Sequence, residues 1–149
     1  MSKNELKMFE LAKRFLSANK YASLTGTLML KARGIDLGRE SHDIDILLND
    51  YAPNIIIPEG LTFTEITSGS GATHRVLIID EIVVDILSDG EQPEIIDGLQ
   101  FGTLDGLISG KLKFVQNGTD KDGKHYNDLV KLGFDFDAHE KQKASDLPW

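Results

Sequence analysis

The order of apolar and polar positions divides the chain into an amphipathic opening, a run of short strands and a helical C-terminal third. Leu6, Phe9, Leu11, Phe15 and Leu16 recur at helical spacing, which predicts a first helix over residues 3–18. Residues 21–24 read as a short strand, Thr25 and Gly26 break it, and residues 27–32 read as a helix that Thr25 or Thr27 can cap. The apolar run at 44–48 predicts the next strand, residues 61–66 alternate weakly, and 68–72 (SGSGA) read as a turn. Residues 75–79 and 82–87 are strongly apolar strands separated by Asp80 and Glu81, the pattern of a hairpin. Helical spacing returns from Thr103, with Leu104, Leu107, Ile108 and Leu112 on one face and Lys111 and Lys113 on the polar one. A polar turn, GTDKDGK, separates this helix from another over residues 127–132, and the segment from Phe134 onward reads as a docked or frayed end. Strands and helices in this order indicate an α/β (α+β) architecture, a mixed β-sheet flanked by helices.

Length and composition narrow the class. The 149 residues fit one domain, and 40% hydrophobic with 27% charged residues is ordinary for a globular chain. The chain has no cysteine, which excludes disulfides and thiolate metal sites. The opening MSKNELKMFELAKRF is charged throughout and reads as a helix, not a signal peptide, and no apolar run is long enough to span a bilayer. The expectation is a cytoplasmic protein that does not engage a membrane. The net charge of -8 is unevenly spread. Residues 1–42 carry 8 Lys and Arg against 4 Asp and Glu, residues 43–105 carry 1 against 13, and residues 106–149 carry 7 against 7. So acidic a middle disfavours extended contact with duplex DNA, whereas a cation-assisted site for a small polyphosphate suits it.

The candidate chemistry lies in that acidic middle. Asp43 and Asp45 flank Ile44 at the mouth of an apolar strand, so the strand's period of two aims both carboxylates at one side of the sheet, on the order of 7 Å apart. Asp85 sits within IVVDIL, where an ionised side chain is costly without a partner. Thr25, Gly26 and Thr27 form a strand-to-helix turn whose glycine admits a ligand close to the backbone and whose helix start favours an anion. Three carboxylates from two strands, facing a turn that can hold phosphates, are what a two-metal phosphoryl-transfer site requires. Arg39 could instead offset the paired aspartates as a salt bridge. The stretch NGTDKDGKHYND reads as a solvated turn, because a calcium loop aligned on Gly123 would begin at Gly118 and end at Leu129, neither a ligand. His42 reads as a surface residue, and His74, His125 and His139 lack ligand spacing and are assigned no chemistry.

The stretch LTGTLMLKARGIDLGRESHDIDILL resembles the signature of the nucleotidyltransferase superfamily, the DNA polymerase beta-like fold, in which a Gly-Ser turn opens a helix and an Asp-x-Asp strand follows. GRESHDIDILL is most similar to the minimal and abortive-infection-type bacterial branches. The resemblance spans about residues 24–132. It implies that Asp43, Asp45 and Asp85 are the catalytic carboxylates and metal ligands, that Gly26 and Thr27 hold nucleotide phosphates, and that Arg39 is the arginine that precedes the paired aspartates. Lys124 and Asp128 in KHYNDL resemble the Lys-Asp-x-x-Asp-Leu helix of the abortive-infection-type enzymes. Thr27 stands where serine is usual, and His125 where that helix has an aspartate. The implied activity is transfer of a nucleoside monophosphate from an NTP donor, ATP among them, to an acceptor hydroxyl on RNA, protein or a small molecule, with Mg²⁺ or Mn²⁺. A silent nucleotide-binding or toxin-antitoxin-like module, and a metal-dependent phosphohydrolase using water as acceptor, are the alternatives.

Overall fold

Ser2 and Glu5 start the first helix, α1 (Lys3–Ala18), as a capping box: the Ser2 hydroxyl accepts from the Glu5 amide at 3.1 Å, and the Glu5 carboxylate accepts from the Ser2 amide at 2.8 Å. In this computed structural model the structure describes residues 1–48, 55–66, 74–88 and 92–145, the last five for their backbone alone. The turn expected at 68–72 lies outside the described residues. The buried face of α1 is Met8, Leu11, Ala12, Phe15 and Leu16, while Leu6, part of the same apolar pattern, is exposed.

The strands are β1 (Ala22–Thr25), β2 (Ile44–Leu48), β3 (Phe63–Glu65), β4 (His74–Ile79), β5 (Ile82–Ser88), β6 (Glu94–Ile96) and β7 (Leu99–Phe101). They form one seven-stranded mixed sheet in the order β3-β4-β5-β2-β1-β7-β6, with α2 (Gly26–Ala32) following β1 directly. β2 runs parallel to β5 and β1 parallel to β7, and the other neighbours are antiparallel. The strand period sorts β2 by face: Ile44, Ile46 and Leu48 are buried, whereas Asp45 and Leu47 are half-buried on the other side. The apolar face continues through Leu24 of β1 and Val84 and Ile86 of β5; α1 and α2 both pack on β1 and β2. Each such side chain withdrawn from water contributes about 1.5–3 kcal/mol.

Two hairpins close through two-residue turns with both central residues at positive φ, the geometry whose twist matches antiparallel strands. Asp80 and Glu81 join β4 to β5 at 48° and 68°, and Asp97 and Gly98 join β6 to β7 at 50° and 78°. The first hairpin follows the sequence expectation. The second was not foreseen, although Asp-Gly signals it. Gln100 of β7 is buried and donates to the Leu16 and Asn19 carbonyls at 2.9 and 3.0 Å, tying that strand to the end of α1.

The chain divides into two compact units, Met1–Leu107 and Ile108–Trp149, and the whole sheet belongs to the first. Beyond the sheet come α3 (Leu104–Gln116), a 3-10 turn (Lys121–Gly123), α4 (Lys124–Lys131) and α5 (Phe136–Ser145). The Asp120 carboxylate accepts from the His125 and Tyr126 amides at 2.8 and 2.9 Å, so the polar turn satisfies two amides that the first turn of α4 leaves without a helical partner. Burial alone would raise the Asp120 pKa, and these amides bring it below the usual carboxylate range. Among the described residues no helix is long and apolar enough to cross a membrane.

Candidate metal centre

Strand register brings the acidic residues together. In the parallel pair of β2 and β5, Asp45 lies directly opposite Asp85, and on the other side of β2 the antiparallel partner of Asp45 is Thr25. Asp43 stands one residue before β2, two before Asp45, and so shares its face. Asp43, Asp45 and Asp85 are all half-buried, and each offers a carboxylate oxygen such that the three lie within 4.8 Å of one another. Among the described residues this is the group able to present three ligand atoms to one ion. Three hard oxygen donors this close can hold a metal ion, which would also offset their mutual repulsion.

The turn after β1 closes on the same carboxylates. Gly26 opens α2 at φ +76°, a conformation that side chains rarely adopt, and a Cβ built there would lie 2.9 Å from Asp45 Cγ. A side chain at this position would strain the backbone and push the Asp45 carboxylate aside, independently of any phosphate. Gly26→Ala is expected to lose about 1–2 kcal/mol from the left-handed backbone and to weaken Mn²⁺ binding by displacing Asp45. Denaturant unfolding together with calorimetric Mn²⁺ titration checks this, and parental values for both would contradict it. Thr25 occupies the position before the helix, but its side chain makes no capping bond. Thr27 accepts a 3.4 Å hydrogen bond from Arg39 Nη2, so Arg39 reaches the turn.

A buried acid holds the segment leading into Asp43. Glu5 is 1% exposed and ion-paired with Lys31 at 2.5 Å, and it accepts from the Ser41 amide at 3.0 Å, while the Ser41 hydroxyl donates to the Asp43 carbonyl at 3.0 Å. Burial alone would raise the Glu5 pKa. The Lys31 ammonium and the Ser41 and Ser2 amides overcome this and bring it from 4.5 to about 2. A depressed folded-state pKa means that the stabilisation is complete above 4.5 and is lost as pH falls from there towards 2. Glu5→Gln should therefore melt well below the parent near neutral pH and converge with it as the solution is acidified through that window. Melting curves across pH check this, and a pH-independent gap would contradict it.

Lys124 is exposed at the start of α4, in the second unit, and His42 is exposed in the first. Lys111 does not lie on a polar helix face: it is 7% exposed, with Nζ 2.8 Å from Asp128 Oδ2 and 3.4 Å from His125 Nδ1. Asp128 is fully buried and His125 stacks on Phe114 with ring centroids 4.6 Å apart; KHYNDL alone points to His125 and Asp128 on one helix but not to Lys111 of the preceding helix as their partner. Burial, with Lys111 beside it, lowers the His125 pKa. His74, whose sequence spacing suggests no chemistry, has Nε2 3.2 Å from Asp85 Oδ1.

No protein-family model and no curated protein matches the chain. The chain is similar to the crystal structure of a "putative nucleotidyltransferase" from Thermotoga maritima, at 19% identity and a TM-score of 0.54, over 85% of this chain and 94% of that one. At that identity the likeness establishes architecture: a mixed sheet flanked by helices in a nucleotidyltransferase-like fold.

Proposed function

We propose that the protein is a Mg²⁺- or Mn²⁺-dependent nucleotidyltransferase that moves a nucleoside monophosphate from an NTP to an acceptor hydroxyl. The observation that carries this reading is the convergence of Asp43, Asp45 and Asp85 from two paired strands beside the tight Gly26 turn. Asp43 and Asp45 would hold two divalent cations and Asp85 one of them. Such cations, when bound, neutralise charge on the phosphates and on the attacking and leaving oxygens. The chain's own groups supply the rest. Gly26, without a side chain, would let a phosphate approach the backbone of the turn, and Thr27 and Arg39 would present a hydroxyl and a guanidinium there. Lys124 is a further candidate for phosphate, carried by the sequence resemblance alone. The acceptor oxygen bonds to the α-phosphorus, its proton passes to Asp85, and pyrophosphate leaves.

The test is incubation of purified protein with each α-labelled NTP, Mg²⁺ and pools of RNA, protein and small hydroxylated acceptors. The reading expects pyrophosphate release and label transferred to an acceptor. Release of free nucleotide or phosphate alone would favour a phosphohydrolase. Stoichiometric NTP binding without turnover would favour a silent binding module.

A further inference from the structure

Asp85 has a neighbour that the paired aspartates alone do not explain. β4 and β5 are antiparallel with Val76 opposite Asp85 and His74 opposite Leu87. Alternation places His74 on the face of Val76, and hence of Asp85, at the diagonal position that a long side chain can span. The ring does so, with Nε2 3.2 Å from Asp85 Oδ1. The next residue, Arg75, points to the opposite face and is engaged by Glu65 at 2.5 Å.

The geometry points to His74 as a positioning residue of the metal centre: with a proton on Nε2 it donates to Asp85 Oδ1, fixing the carboxylate plane and leaving the remaining lone pairs for the ion. The role rests on the metal-centre reading above. A carboxylate has about four acceptor sites, so one hydrogen bond does not exhaust it, but it removes free rotation of a ligand that must meet Asp43 and Asp45 at one point. Stability does not account for the contact. The His74 side chain is 52% exposed, and pairs so open to solvent contribute little to folding. Orientation of a ligand is what such a contact supplies.

The experiment is Mn²⁺ titration by calorimetry of the parent, His74→Ala, His74→Gln and Asp85→Asn, with melting curves on each metal-free protein. His74→Ala is expected to bind Mn²⁺ about 10- to 100-fold more weakly at an unchanged melting temperature. His74→Gln, whose amide keeps an N–H, should recover most of the affinity, and Asp85→Asn should lose it. In turnover, His74→Ala should lower kcat with little change in KM for NTP. If the parent binds Mn²⁺ and His74→Ala binds it equally well, the positioning role is overturned and the metal centre stands. If His74→Gln is as weak as His74→Ala, the imidazole itself is required and positioning by hydrogen bond is overturned. If the parent binds no Mn²⁺, the metal centre falls and the role of His74 with it.

Discussion

Asp45→Asn is expected to reduce metal-dependent nucleotidyl transfer by at least about 10³-fold, equivalent to about 4 kcal/mol of transition-state stabilisation. Asp45 is the middle of the three carboxylates in register terms, opposite both Thr25 and Asp85, and its carboxylate takes up the space that a Cβ at Gly26 would need. Asparagine keeps its size and shape, so packing against Gly26 survives while the charge does not. Removing one of three negative charges whose oxygens lie within 4.8 Å of one another relieves repulsion, so the metal-free variant should melt no lower than the parent. The proposed function expects Mn²⁺ with NTP to stabilise the parent by mass action, and in the variant that gain should disappear. Steady-state rates and melting curves with and without Mn²⁺ check both halves. A large loss of metal-free stability would identify Asp45 as part of a structural ion pair instead.

Lys111→Met is expected to destabilise the second unit by about 3–5 kcal/mol, the cost of stripping a counter-charge from a buried ion. The Lys111 ammonium is 2.8 Å from an Asp128 carboxylate with no solvent exposure, and taking such charges out of water is tolerated only while they are paired. Asp128→Leu alone should cost a similar amount. The double variant should lose much less than the sum, because two apolar side chains leave no ion to desolvate. Denaturant unfolding of the parent and the three variants forms the cycle. Additive losses would mean that the pair is not an energetic unit.

The sheet and its acidic face were legible because each signal was local. Alternation around Ile44, Ile46 and Leu48 fixed which way Asp43 and Asp45 point, and the apolar neighbours of Asp85 marked it as a charge in need of a partner. What escaped depended on residues far apart in the chain. His74 meets Asp85 only through the antiparallel register of β4 and β5, and Lys111 meets Asp128 across a turn between two helices, so neither pair shows a spacing that reads as chemistry. Three local elements were also missed. β6 and β7 are three residues each, too short for alternation to register, although Asp97-Gly98 marks their turn. α5 (FDAHEKQKAS) lacks an apolar stripe, so periodicity could not find it. Gly26 was read as room for phosphate, and the structure adds a requirement within the protein, the close approach of Asp45.

In the proposed function Asp43, Asp45 and Asp85 bind divalent cations together with an NTP. Anomalous scattering from crystals grown with Mn²⁺ and an NTP analogue that cannot be cleaved between the α- and β-phosphates tests it most directly. Manganese peaks are expected within coordination distance of carboxylate oxygens from all three aspartates, with the triphosphate reaching the Gly26 turn. Manganese absent from the three aspartates under saturating Mn²⁺ and analogue, or a triphosphate bound elsewhere on the chain, would contradict it.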